Sequence, residues 1–229
     1  MNRIGIIFAL KEELEACLKK LKLIKEYNFL DLTFYECEYL NKTCILLECG
    51  IGKVNAARCT QIMIDMEHVD CLFNVGVAGS VNKNVNICDI VIGDKLVQHD
   101  FNLEAFNHER GYIPNLGKFI SCDDYFVKLA SEIKMNVNTH IGVLASGDLF
   151  ISDEKMGAKI NKKFDALCVE MEGASIAQVC FLSHIPFLII RSISDSPNKD
   201  NNNNITYEEF LIESSEMASN FMMELLKQI

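Results

Sequence analysis

The sequence predicts an α/β fold of three layers, with a mostly parallel mixed central sheet flanked by helices. Three observations carry that expectation. Short apolar runs alternate with helical patterns from end to end, several runs are apolar throughout as strands covered on both faces must be, and nothing in the 229 residues reads as a linker. The last point makes residues 1–229 one domain, long enough to bury roughly 70–75% of the surface its unfolded chain exposes.

The runs expected as strands are Ile4–Ala9, Thr33–Tyr39, Thr43–Cys49, Cys71–Val75, Ile87–Val97, His140–Ala145, Ala166–Val169 and Pro186–Ile193. The first follows MNRIGIIFAL into Lys11-Glu12-Glu13 with no small-residue cleavage site, so it reads as a strand and not as a secretory core. In the first helix Leu10, Leu14, Cys17, Leu18 and Leu21 share a face, with Lys11, Glu12, Glu15 and Lys19 turned away. A second helix follows Ser121 and Asp124, with Phe126, Leu129, Ala130 and Ile133 inward. Gly173-Ala174 opens another. The last helix is expected to start at a capping box from Thr206 to Glu209, after a polar Asn201–Asn204 loop, and to carry Phe210, Met217, Phe221 and Leu225 inward.

Composition removes several function classes. A formal net charge of −10 disfavours a surface for nucleic acid or anionic membrane, and no apolar stretch approaches a membrane span. The 10 cysteines sit singly and form no Cys-x-x-Cys, so buried reduced thiols in a cytoplasmic protein are expected. His68, His99, His108, His140 and His184 have no metal-ligand spacing, and no metal or cofactor is expected.

In open α/β sheets ligands bind beyond the carboxyl ends of the strands. Just past each apolar run stand Glu12-Glu13, Gly50-Ile51-Gly52, Gly76-Val77-Ala78-Gly79, Ser146-Gly147-Asp148, Glu170-Met171-Glu172 and Asp195. Carboxylates and glycine turns suit a neutral, hydroxyl-bearing small molecule better than a phosphate. Gly50-Ile51-Gly52-Lys53 is neither a Walker loop nor, with Asn55 in the third position, a dinucleotide fingerprint.

Helical geometry separates the first two acids. At about 100° per residue Glu12 points away from the apolar stripe, while Glu13 lies at its edge, where partial desolvation raises a carboxyl pKa. The plainer alternative is a first-turn acid complementing the helix dipole. Arg191, in an otherwise apolar run ending at Asp195, needs a carboxylate partner. Glu170 and Glu172 share a face if extended and diverge if helical, and the residues alone leave that open.

Taken in order, GIIFALKEEL, ECGIGKVNAA, NVGVAGSV, ASGDLFI, VEMEGASIAQVC and IIRSISD resemble the 5′-methylthioadenosine/S-adenosylhomocysteine nucleosidases, within the purine nucleoside phosphorylase superfamily. The match spans essentially the whole chain. The resemblance implies a nucleoside phosphorylase-like sheet and hydrolysis of the N-glycosidic bond of adenine nucleosides without a cofactor. It implies that Glu13 activates water and that Asp195 protonates N7 of the leaving adenine. Met171 and Glu172 would contact the ribose, Phe150 would stack on adenine, and Ile151 would offer main-chain contacts to the base edge. Ala78 and Gly79 would lie beneath the ribose, with Arg191 and Ser194 positioning neighbouring acids and Leu10, Ile51 and Tyr207 completing the substrate site. It also implies a homodimer in which Phe106 and Pro114 of a second copy close the 5′ pocket. Val77 and His108 depart from the pattern, where a serine and a phenol are common. Alternatives are a phosphorylase, an aminofutalosine-type hydrolase and a non-catalytic nucleoside sensor. The first is disfavoured because the chain has only Arg3, Arg58, Arg110 and Arg191 to hold phosphate.

Overall fold

A computed structural model describes residues 1–196 and 203–229, with side chains placed for 1–196 and 207–229. Its strands are β1 (Arg3–Phe8), β2 (Lys22–Phe29), β3 (Leu32–Tyr39), β4 (Lys42–Glu48), β5 (Cys71–Ser80), β6 (Ile90–Gln98), β7 (Ile120–Ser121), β8 (Thr139–Ser146), β9 (Ala166–Glu170) and β10 (Phe187–Asp195). Its helices are α1 (Lys11–Leu18), α2 (Lys53–Glu67), α3 (Asp124–Ser131), α4 (Glu154–Phe164), α5 (Gly173–Leu182) and α6 (Asn203–Gln228).

The strands form one sheet in the order β10-β6-β8-β9-β5-β1-β4-β3-β2, and β10 also pairs with β5. That extra pairing closes β5, β9, β8, β6 and β10 into a ring, with β1, β4, β3 and β2 as an open extension. β5 serves both parts. It runs parallel between β1 and β10, and its last residues, Gly79 and Ser80, turn away to pair with β9. Parallel pairings of β1 with β4 and β5, of β10 with β5, and of β8 with β6 and β9 bring the carboxyl ends of these strands together. Antiparallel pairs occupy the β2–β3–β4 edge, the contacts of β6 with β7 and β10, and the short β5–β9 contact.

Every run expected as a strand is one, with ends shifted by a few residues; β5, for example, continues to Ser80. β2 was not foreseen, because it is an edge strand. Leu23, Ile24 and Phe29 stay exposed among Lys22, Lys25 and Glu26, so no buried alternation marks it. α1 stops at Leu18, yet Leu21 is still buried just beyond it. The cap of α3 is Asp123, which accepts from the N–H groups of Tyr125 and Phe126; Ser121 belongs to β7, and Ile133 lies past the helix end. α6 begins at Asn203, so Asn203 and Asn204 are helical and not loop, and the helix starts before the expected cap. Residues 201 and 202 and the Thr206 side chain of that capping box lie outside the described residues.

Both sheet faces are covered. α1 and α6 pack together, α6 lies along β10 and β5, and α5 packs on α2 across the other face. The core between them contains Ile6, Phe8, Leu46, Phe73, Ile190 and Phe221, all fully buried. All 10 cysteines are unpaired thiols, and nine of them are buried. Phe73 meets Phe126 edge-on, with ring centroids 4.9 Å apart. Phe73→Ala is therefore expected to cost about 3–5 kcal/mol of folding stability, read by urea denaturation.

Candidate active site

The strand ends enclose a cavity of about 330 Å³, lined by Ala9, Leu10, Glu13, Ile51, Val77, Ala78, Gly79, Phe150, Val169, Glu170, Met171, Glu172, Ser194, Asp195 and Tyr207. This is the size of a small-molecule site.

Glu13 enters it from the first turn of α1 and is only 4% exposed. Its Oε2 accepts from the N–H groups of Ala9 (2.9 Å) and Leu10 (3.0 Å), and its Oε1 from that of Val77 (2.8 Å). One carboxylate thus ties the exit of β1 to β5. Burial raises its pKa, against the opposing pull of Arg191 and the three N–H donors. Gly76 is required beside it, because a Cβ there would collide with Glu13 Oε1.

Glu170 ends β9 and Glu172 immediately precedes α5, which resolves their relation. Glu170 turns inward. Its Oε2 meets Arg191 at 2.5 Å and accepts the N–H groups of Glu172 (3.1 Å) and Gly173 (2.6 Å); its Oε1 accepts the Ser146 hydroxyl. Burial alone would raise this carboxyl, but Arg191, Ser146 and the two N–H groups overcome it and hold it below the ordinary value. Glu172 faces the cavity and accepts the Gly52 N–H at 2.8 Å. Burial and then the charge of Glu170 push it up to about 8.

Asp195, at the end of β10, receives the Ser194 hydroxyl at 2.9 Å, and burial pushes it up to about 6. Gly79 opposite leaves room for it, since a Cβ there would stand 2.9 Å from Asp195 Oδ2. Phe150 meets Tyr207 edge-on, with centroids 5.7 Å apart, and both rings line the cavity.

Of the residues singled out from sequence, Glu13, Asp195, Ala78, Gly79, Phe150, Met171, Glu172, Ser194, Ile51, Leu10 and Tyr207 all line this cavity. Ile151 is set back, in an adjoining recess of about 30 Å³. Arg191, grouped with the substrate site, is 1% exposed and does not line the cavity; it bonds Glu170 and Asn74 and so reaches the site only through the acid it pairs with. Phe106 is 73% exposed and Pro114 exposed, both outside the cavity of their own chain. His108 stacks on Tyr112 at 4.9 Å. Sequence reasoning missed Asn74, whose Oδ1 accepts from Arg191 and whose Nδ2 donates to Ile7 O at 2.9 Å. An asparagine inside the apolar run CLFNV was the available signal.

This mixed sheet with acids at converging strand ends is matched, as a class, by the phosphorylase superfamily. Residues 3–229 match that family, and the chain belongs to it. Among its relatives, it is 35% identical to the 5′-methylthioadenosine/S-adenosylhomocysteine nucleosidase of Staphylococcus carnosus, over 99% of this chain and 100% of the relative. It is 34% identical to the aminodeoxyfutalosine nucleosidase of Campylobacter jejuni, over 100% of both chains. The structure superposes on the Helicobacter pylori 5′-methylthioadenosine/S-adenosylhomocysteine nucleosidase with a TM-score of 0.95 and 34% identity, covering 100% of this chain and 99% of that one.

The raised Asp195 carboxyl has a consequence for stability. Between its ordinary value of 3.8 and about 6, the folded protein holds a proton that the unfolded chain has lost. Stability therefore falls as pH rises through that window, and above it the buried charge costs about 3 kcal/mol. Asp195→Asn is expected to stabilise the fold by up to that amount at about pH 8 and to lose the advantage at about pH 4, measured by denaturant titration.

Proposed function

We propose that the protein hydrolyses the N-glycosidic bond of 5′-methylthioadenosine and S-adenosylhomocysteine, and of 5′-deoxyadenosine, to adenine and the 5-substituted ribose. The observation that carries this reading is the meeting of Glu13, Glu172 and Asp195 on one 330 Å³ cavity, with Asp195 able to hold a proton near pH 6.

The bond from C1′ to N9 breaks through an oxocarbenium-like sugar, so the leaving base needs a proton and the sugar needs water on its opposite face. Asp195 donates the proton to N7. Its buried site supplies a carboxylic acid that an exposed aspartate could not offer at this pH. Glu13 takes a proton from the attacking water, and its three N–H donors fix where the accepting oxygens stand. Glu172 accepts the ribose hydroxyls, an interaction that strengthens as positive charge grows on the sugar. Phe150 and Tyr207 offer aromatic surface to the adenine end, and Met171 packs on the sugar.

Among the described residues, neither lysine nor arginine lines the cavity, and its ionisable groups are carboxyls and the Tyr207 phenol. No cationic side chain is then offered to phosphate, which favours water as nucleophile. The acting species is a homodimer, in which Phe106 and Pro114 of a second copy close the 5′ end. The exposed, apolar Phe106 supports that arrangement, and nine buried thiols support a cytoplasmic setting. The Campylobacter jejuni relative favours a second reading, in which aminodeoxyfutalosine is also cleaved; adenine and ribose would bind alike and only the 5′ group would differ.

Adenine release from methylthioadenosine is expected in phosphate-free buffer and is not expected to speed up when phosphate is added; chromatography of adenine checks both, and a strict phosphate requirement overturns the hydrolase reading. Asp195→Asn is expected to lower kcat by about 10²–10⁴-fold while leaving nucleoside affinity nearly intact, because asparagine keeps the shape but lacks the acidic proton. Glu13→Gln is expected to behave likewise, measured by turnover and by calorimetric binding. Retained hydrolysis in Glu13→Gln would move the role of base to another acid.

A further inference from the structure

Two segments that shape the cavity, the turn before α2 and the loop after β8, are joined by one side chain outside its lining. α2 starts after Gly52, which has no side chain to cap it. The cap comes from elsewhere: Asp148 Oδ1 accepts the Lys53 N–H at 2.8 Å, from 95 residues away in sequence. Asp100, beyond the end of β6, holds both partners. Its Oδ2 accepts the Asp148 N–H at 3.0 Å and its Oδ1 the Lys53 ammonium at 2.7 Å. The same ammonium reaches Gln98 Oε1 at 3.2 Å, and Gln98 donates to Gln178 of α5 at 2.7 Å. One residue before the capped N–H, Gly52 donates its own N–H to Glu172 at 2.8 Å. Two residues after Asp148, Phe150 lines the cavity.

We infer that Asp148 is a positioning residue: by capping α2 from the β8 loop it fixes the Gly52 N–H on Glu172 and sets Phe150 across the cavity from it. The sugar-facing acid and the base-facing ring are thereby held at one spacing. Because Gly52 has a φ of +101° and stands close to Asp148, the turn meets the carboxylate with its backbone and no side chain intervenes. Asp148 itself is exposed, so its removal leaves the core intact. The consequence for turnover rests on the nucleosidase reading, whereas the clamp does not.

The test compares Asp148→Ala with Asp148→Asn, which keeps an Oδ1 acceptor. In Asp148→Ala the KM for methylthioadenosine is expected to rise about fivefold or more, with kcat changed far less and the thermal midpoint near wild type. Asp148→Asn restores KM to within about twofold of wild type. Hydrogen exchange of the Gly52 and Lys53 amides is expected to accelerate in Asp148→Ala and to return to the wild-type rate in Asp148→Asn. An unchanged KM, a loss confined to kcat, or unchanged amide exchange overturns the proposal. Should Asp148→Ala not fold, Asp100→Asn carries the same test, since it keeps an acceptor for only one of its two donors and is expected to raise KM by a smaller factor. If the wild-type protein releases no adenine, the functional reading fails, and the exchange rates still decide the clamp.

Discussion

One buried cation organises the acidic centre. Arg191 stands in β10 with no access to water, and an unpaired guanidinium there would be prohibitively desolvated. Glu170 of β9 answers it at 2.5 Å, and Asn74 of β5 takes the same terminal nitrogen. Three strands of the closed ring are thus pinned to each other by polar bonds at the level where the cavity begins. Removing one partner of such a pair typically costs about 3–5 kcal/mol, because the other is left charged in a dry interior. The pair fixes geometry more than it adds stability.

The division of labour among the carboxylates follows from that pairing. Glu170 receives Arg191, the Ser146 hydroxyl and two backbone N–H groups, so it remains ionised and inward. Little compensation is left for the others. Glu172, two residues on, feels burial and then the fixed charge of Glu170, and rises to about 8. Asp195 has a single hydroxyl donor, from Ser194, and burial sets its value near 6. Glu13 gathers three N–H donors but lies deep enough that burial still prevails. Acids of similar intrinsic strength are spread apart by their surroundings, which lets one chain present both a proton donor and a proton acceptor near neutrality.

Much of this was legible from residues alone. The apolar runs marked the strands because both sheet faces are covered, and their ends marked the cavity. The stripe of α1 placed Glu13 at its edge, between core and water, and the structure puts the cavity at that edge. Other features were not legible, for physical reasons. β2 hides because an edge strand with exposed faces needs no alternation. Closure of the ring depends on β10 pairing with β5 on one side and β6 on the other, a long-range choice that no local pattern records. The partner of Arg191 could not be chosen between Glu170 and Glu172 until the chain was seen to leave the strand between them. That Arg191 needs a carboxylate partner was legible from its place in an apolar run, and Glu170 is that partner.

The glycines of β5 show how tightly fold and chemistry are bound together. Gly76 and Gly79 each face an acid: Glu13 fills the space a Cβ would need at 76, and Asp195 the space at 79. A strand interior normally loses stability at glycine, through backbone entropy and absent packing. Here both positions lie where β5 runs beside β10, so the pairing that closes the ring also presses backbone against carboxylate. The missing side chains permit that approach, which excludes water from the acids and raises their pKa values. The local weakness of β5 and the acidity available for chemistry therefore have the same structural origin, and a sheet better filled at those two positions would have no room for either acid.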